Sequence, residues 1–341
     1  MSLWILVFIL TFGGSGQWWS VKTSGMDTNL RGVSVVLETS FSPESVVWAV
    51  GSHGVVLRSV DSGKNWKQLH IPDAESLDFR GVQAFKENIA YVMASGEGKN
   101  SGIYKTSDAG KTWTQQYSDP RKAFFLDAIR CGDESHCFAL SDPVDGKFLL
   151  ISTEDGQHWQ ELGRENMPPA LASEGAFAAS NSSMILQGKD IYFGTGGPAA
   201  RVFHSPDLGR TWSVAETPIF SGKASAGIFS LVADGDLILA VGGDYQDPKL
   251  TRNLAAASRD AGKTWRLTEN MPGGYRSAVS KCGRGFVAVG PTGSDINYSS
   301  DRWSPISQDN FNALAYSKGQ VWAVGPNGTI ARFVGEPKIS P

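Results

Sequence analysis

The stretch KTSDAGKTW, residues 105–113, poses the question on which the fold turns, because nearly the same phrase recurs along the chain. It returns as SVDSGKNW at 59–66, STEDGQHW at 152–159, SPDLGRTW at 205–212 and SRDAGKTW at 258–265, beside TSDAGKTW at 106–113 itself. The pattern is Ser/Thr-x-Asp-x-Gly-x-x-Trp, with Glu154 at the acidic position of the third copy. Turn chemistry accounts for every repeated position. A short Asp or Ser side chain accepts from the backbone N–H groups of a tight reversal, and Gly supplies the left-handed backbone that the reversal needs. Trp covers the turn with a large apolar face and one N–H donor. The phrase therefore reads as a structural device rather than a catalytic one.

The tryptophans of successive phrases, Trp66, Trp113, Trp159, Trp212 and Trp265, lie 47, 46, 53 and 53 residues apart. That is the length of four short strands with variable loops, the blade of a β-propeller. The chain of 341 residues, with 39 Gly and 11 Trp, has alternating Val/Ile/Phe runs and almost no helical periodicity. Seven inner strands are expected, beginning at Arg31, Arg80, Asp127, Gly175, Gly227, Arg276 and Asn312. The sixth blade carries a shortened phrase, SSDRW at 299–303, and the seventh, VWAVGPNGTIARFV at 321–334, stops before a fourth strand. QWWSVKT at 17–23 supplies that strand and closes the ring, which removes an exposed edge. The fold class is all-β, a single seven-bladed propeller over 17–335 with a short tail at 336–341.

The N-terminus, MSLWILVFILTFGGSG, has an apolar run from Leu3 to Phe12, too short for a bilayer span and followed by small residues. It is read as a secretory signal peptide over 1–16, which implies a secreted or extracytoplasmic protein with no stable membrane insertion. Cys131 and Cys137 flank GDESH at a strand reversal, a spacing that could close a small disulfide in such a compartment; Cys282 is left over and read as buried. Asn181, Asn297 and Asn327 head glycosylation triplets, which occur often by chance. A net charge of -3 without a basic block argues against nucleic acid as a partner.

In a blade whose strands a to d run outward from the axis, the c–d turns bearing the phrase occupy one face. The b–c and d–a loops occupy the other, where they can vary without disturbing the turns. Arg31, Arg80 and Arg276 share a register at the start of inner strands, with Asp127 taking that place in the third blade. Around them the loops offer Asp142, Glu174, Arg201, Asp244, Tyr245, Tyr275 and Asp295. Gathering guanidinium and carboxylate groups on a hub is costly unless they pair with one another or meet a polar ligand. The second outcome would be a recognition surface for a protein or carbohydrate-like ligand.

The segments LRGVSVV, FRGVQAF, SDPVDGKF, SEGAFAAS, GTGGPAARVF, VGGDY, GYRSAV and GPTGSD, together with the turn phrases and blade spacing, resemble the photosystem II stability/assembly factor family over roughly residues 18–334. That resemblance implies a seven-bladed propeller with Asp-box turns. It also implies an assembly role, in which an arginine-rich surface holds a membrane-protein precursor on the lumenal or periplasmic side. Arg31, Arg80 and Arg276 are the matching positions here.

The alternative is a glycoside hydrolase, since Asp-box turns also occur in sialidases. For such an enzyme Asp142, Glu174 and Asp244 are the candidate carboxylates, Tyr245 or Tyr275 the phenolic partner, and Arg201 and Arg276 an anion clamp. The Arg-Ile-Pro segment that opens typical sialidases is absent; Asp78-Phe79 leads into Arg80-Gly81 instead. No metal or cofactor is expected. The five histidines are scattered, Asp142-Pro143-Val144-Asp145-Gly146 lacks a full calcium-ligand set, and no Gly-rich nucleotide fingerprint is present.

Overall fold

The computed structural model describes residues 17–37 and 44–335. The apolar N-terminal run, with the signal peptide read there, and the tail from residue 336 lie outside the described residues. Seven antiparallel sheets are arranged as blades. The first consists of Leu30–Val36, Val46–Gly51, Val56–Ser59 and Lys67–Leu69. The inner strands of the next six are Phe79–Phe85, Leu126–Cys131, Met184–Gln187, Lys223–Asp234, Ala278–Cys282 and Ala313–Ser317. Among the described residues no helix is long and apolar enough to cross a membrane.

Burial follows from blades packing face to face. A second strand such as Val46–Gly51, VVWAVG, is buried at every position, so its sequence is a continuous apolar run instead of an alternation. An outer strand such as Thr114–Ser118, TQQYS, meets solvent and is polar. The cores lie in the seams between blades: Trp48 of the first blade packs with Val82, Val92 and Tyr104 of the second. Trp113 joins that seam edge-on to Trp48, ring centroids 6.3 Å apart. Each turn tryptophan thereby fastens its own blade to a neighbour.

The ring closes through Trp19–Thr23, which pairs antiparallel with Thr329–Phe333. Trp19 is 1% exposed, lies 5.0 Å from both Phe311 and Phe333, and donates from Nε1 to Ser294 Oγ at 3.1 Å. The last blade is thus completed from the other end of the chain.

The recurrent turn is built as its chemistry requires. Asp108 Oδ1 accepts from the N–H groups of Lys111 and Thr112 at 3.0 and 2.9 Å, and Oδ2 accepts from Thr112 Oγ1 at 2.7 Å. Thr106 Oγ1 accepts from Gly110 N–H at 2.9 Å, while Ala109 and Gly110 both take left-handed backbone, φ 64° and 83°. The third copy differs from its sequence reading. Asp155, not Glu154, does the accepting, from Gln157 and His158 N–H at 2.8 Å each, with Thr153 in place of Ser152. This turn is one residue shorter, so the acceptor register moves by one. In the sixth blade Ser299 Oγ substitutes for the carboxylate, accepting from Arg302 N–H at 3.1 Å.

The same donors hold the turn carboxyls below their ordinary range, to about 2 in Asp108 and Asp260, where Thr112 and Thr264 stabilise the ionised form. A depressed folded pKa contributes stability that is complete above the unfolded value near 4 and is lost as pH falls through the folded one. Urea midpoints are therefore expected to drop most steeply between about pH 4 and 2, with Asp108→Asn flattening that part of the curve. A variant curve parallel to the wild type would show that the turns do not set this sensitivity.

Cys131 and Cys137 are register partners on one hairpin and are disulfide-bonded, with an S–S distance of 2.04 Å. Cys282 is buried and free. Asn181 and Asn297 are only 4% and 0% exposed, which closes both triplets to glycosylation in the folded state.

Candidate functional site

At the hub, on the face opposite the turn phrases, lies a cavity of about 580 Å³. Its lining is set by a repeated backbone device. Leu30 pairs with Gly51 and Gly32 with Val50, so Arg31 has no partner across the ladder and forms a β-bulge. Arg80, Asp127 and Phe229 are the bulged residues of their own inner strands. A bulge re-aims one side chain and bends the strand, and all four side chains line the cavity.

The glycine at the end of the second strand keeps this register. A Cβ on Gly51, Gly242, Gly290 or Gly325 would meet the Cα of Leu30, Ile228, Arg276 or Phe311 at 3.0 to 3.2 Å, with a carbonyl oxygen nearer still. Arg31, Phe229, Ser277 and Asn312 are therefore equivalent, each one residue later. Arg276 takes the place of Leu30, not of Arg31, and this corrects the sequence reading. It points into a blade instead of the hub, and Ser277 lines the cavity in its stead.

Within the cavity the charges are unevenly satisfied. Arg80 donates from Nε to Asp78 at 2.7 Å and from Nη1 to Ala178 O at 3.2 Å. Arg31 is held less firmly: its Nε has no hydrogen-bond partner among the described residues, and burial, reinforced by Arg80, lowers its pKa. Asp127 is 0% exposed and neither carboxyl oxygen has a hydrogen-bond partner among the described residues. Burial, with the nearby charge of Asp142, pushes it well above the carboxylate range. Asp142 accepts from Ala176 N–H at 2.9 Å, yet burial still raises it to about 6. Phe125, Phe177, Phe229, Tyr245 and Tyr275 supply an aromatic wall. Phe177 stacks on Phe229 at 3.8 Å, and Tyr275 stands edge-on to Phe229 at 4.7 Å.

The other sequence candidates are engaged elsewhere. Glu174 binds Arg201 through both oxygens, accepts from Thr195 Oγ1 at 2.6 Å and from Leu171 N–H at 2.8 Å, and is 5% exposed. Asp295 accepts from Arg276 Nε at 2.6 Å, while Arg276 Nη1 donates to Thr292 Oγ1 at 2.8 Å. Asp244 accepts from Lys223 Nζ and from Gln246 N–H, each at 2.9 Å. Five nominated residues, Glu174, Arg201, Asp244, Arg276 and Asp295, thus tie loops together outside the hub cavity. Arg31, Arg80, Asp127, Asp142, Tyr245 and Tyr275 are brought together in it.

Sequence reading missed the cavity floor. The fourth inner strand begins at Met184, not near Gly175, and the chain before it crosses the hub. Asn181, at φ 62°, accepts through Oδ1 from Ile129 N–H of the third blade at 2.7 Å. Ser180 Oγ donates to Ser277 O at 2.7 Å, and Ser182 Oγ shares a hydrogen bond with Ser230 Oγ at 2.6 Å. The only hint was compositional, an S-N-S-S run where a strand was expected. For the bulges a signal did exist: a buried apolar residue, the hub residue and then a small one, as in Leu30-Arg31-Gly32, Phe79-Arg80-Gly81, Leu126-Asp127-Ala128 and Ile228-Phe229-Ser230.

Residues 7–272 match the model of a family described as Photosynthesis system II assembly factor YCF48. The chain is 24% identical to the photosystem II assembly protein Ycf48 of Synechococcus sp. (strain JA-2-3B'a(2-13)), covering 54% of this chain and 76% of that protein. It is 23% identical to a xyloglucanase of Paenibacillus sp, covering 55% of this chain but 16% of the enzyme. Among solved structures, YCF48 bound to D1 peptide superposes with a TM-score of 0.65 at 13% identity, over 94% of this chain and 98% of that one. A virginiamycin B lyase from Staphylococcus aureus superposes at 0.63 and 13% identity, over 92% and 98%. Likenesses at such identity carry the fold alone.

Proposed function

The chain belongs to the Photosynthesis system II assembly factor YCF48 family, and on that premise we propose that it is an exported assembly factor whose hub mouth holds a partner polypeptide by an anionic group. The observation that carries this reading is Arg31, a half-buried guanidinium whose Nε is buried with no hydrogen-bond partner among the described residues, beside Arg80 and facing an open cavity with an aromatic wall. A guanidinium fork fits a carboxylate with two parallel hydrogen bonds, and the flat rings give apolar contact to the chain that bears it. The solved YCF48 that resembles this fold carries a D1 peptide, which supports a polypeptide as the ligand class. Export is supported by the Cys131–Cys137 disulfide, since such bonds persist in oxidising compartments.

The hydrolase alternative has less to draw on. Two of its three nominated carboxylates, Glu174 and Asp244, are committed to Arg201 and Lys223. The similarity to xyloglucanase spans a small share of that enzyme.

The test is to titrate the D1 peptide, and the same peptide with its carboxylates amidated, against this chain by fluorescence anisotropy. Saturable binding of the free acid and loss on amidation are expected. Equal binding of both forms, or of neither, would overturn the reading. Acidity adds a second expectation. Asp142, with a pKa of about 6, is ionised above that value and repels an anion, and it is neutral below. Affinity should therefore rise as pH falls from 7 to 5, and Asp142→Asn should remove most of that rise. A pH-independent affinity in the wild type would disconnect Asp142 from the site.

A further inference from the structure

The opposite mouth of the hub holds a second cavity, of about 550 Å³, on the far side of the Ser180-Asn181-Ser182 crossing. Its lining includes Arg130 and Lys281 and no carboxylate. Arg130 lies next to the end of the inner strand Leu126–Cys131, near whose start Asp127 sits. Of five guanidinium donors, one hydrogen bond is made, from Nη1 to the adjacent Ile129 carbonyl at 3.1 Å. No acidic side chain forms an ion pair with it among the described residues. Burial alone acts on its pKa, drawing it down to about 10. Arg201 and Arg276, which are buried where Arg130 is half-buried, each have a dedicated carboxylate. Lys281 stands at the rim and is paired with the exposed Asp234 at 2.6 Å. Gln83, Ser34 and Ser280 add polar groups around the wall, and Ser34 Oγ accepts from Ala84 N–H at 3.1 Å, leaving its proton to donate.

A half-buried guanidinium with most of its N–H donors turned to an open cavity and no carboxylate in reach among the described residues is ready to take an anion. The fork matches tetrahedral oxyanions, and the volume exceeds what one inorganic phosphate fills. We propose that this lower mouth is a separate binding site for a phosphate-bearing small molecule, with Arg130 as the central donor and Lys281 as a rim cation. The site shares no residue with the upper cavity and does not depend on the assembly reading.

The proposal is tested by calorimetric titration of tripolyphosphate into the full chain at low salt, with citrate as a carboxylate of comparable charge. One site that is weakened in Arg130→Gln and kept in Arg31→Gln is expected, binding tripolyphosphate more tightly than citrate. Arg130→Gln should weaken it at least about tenfold, equivalent to about 1.4 kcal/mol. Lys281→Gln should weaken it by a factor of about 3, and Arg31→Gln in the upper cavity should leave it unchanged. Because Arg130 makes one hydrogen bond and no ion pair among the described residues, the unliganded unfolding temperature of Arg130→Gln should stay close to the wild type. If that variant fails to fold, Arg130→Lys, which keeps the charge but not the fork, takes its place and should also bind more weakly. No binding by the wild type, full binding by Arg130→Gln or Arg130→Lys, loss in Arg31→Gln, or preference for citrate would each overturn the assignment.

Discussion

Asp295→Ala is expected to destabilise the propeller by about 3–5 kcal/mol, the largest effect of any single side-chain removal considered for this chain. Arg276 is 1% exposed and Asp295 likewise, and the carboxylate also accepts from Gly273 N–H. Removing it strands a guanidinium that has no route to water, which is the costly way to break a buried pair. Glu174→Ala should behave similarly, since it abandons Arg201, Thr195 and the Leu171 N–H together. The reverse experiment separates desolvation from attraction. Replacing both partners, Arg276→Met with Asp295→Leu, should recover much of the loss, because two apolar groups leave no charge behind. Urea denaturation of the three variants measures this directly. A deficit under about 1 kcal/mol for Asp295→Ala would mean that water reaches Arg276 after all.

Arg31→Gln should do the opposite to stability while having the largest effect on binding. The charge it removes is unpaired and partly desolvated, so unfolding free energy should stay level or rise. Affinity for the carboxylate-bearing peptide should fall about 30-fold, roughly 2 kcal/mol, the usual loss when one partner of a desolvated charge pair is truncated. Arg80→Gln should cost less, because Asp78 already holds its Nε. The double variant should fall short of the product of the two, since neighbouring cations weaken each other's contribution. Peptide anisotropy beside thermal unfolding reads both quantities. Unchanged affinity in a stable Arg31→Gln protein would move the binding surface away from the hub.

The blade count, the turns and the closing strand were legible because they depend on local chemistry repeated at a fixed interval. Asp, Gly and Trp at set offsets make one reversal wherever they fall, and the spacing of Trp66, Trp113 and Trp159 measures out four strands at a time. Where the local pattern was crowded with acceptors, the reading slipped by a residue: Glu154 and Asp155 are both plausible by sequence, and the shorter turn selects Asp155.

The hub itself was half legible. That charged loops converge on one face follows from strand alternation alone, and six of the eleven nominated side chains meet there. Which six could not be known from the chain, since it depends on contacts between residues far apart in sequence. A one-residue bulge carries Arg31 and Arg80 into the cavity, while a glycine pressed against the backbone of Arg276 holds that side chain one position out of register. In a strand a single residue of shift exchanges one face for the other. The order of turns along this chain is thus written in short phrases, each sufficient by itself. The choice between a guanidinium that locks a loop and one that awaits a ligand belongs to the assembled ring, because only there is each charge given, or denied, a partner.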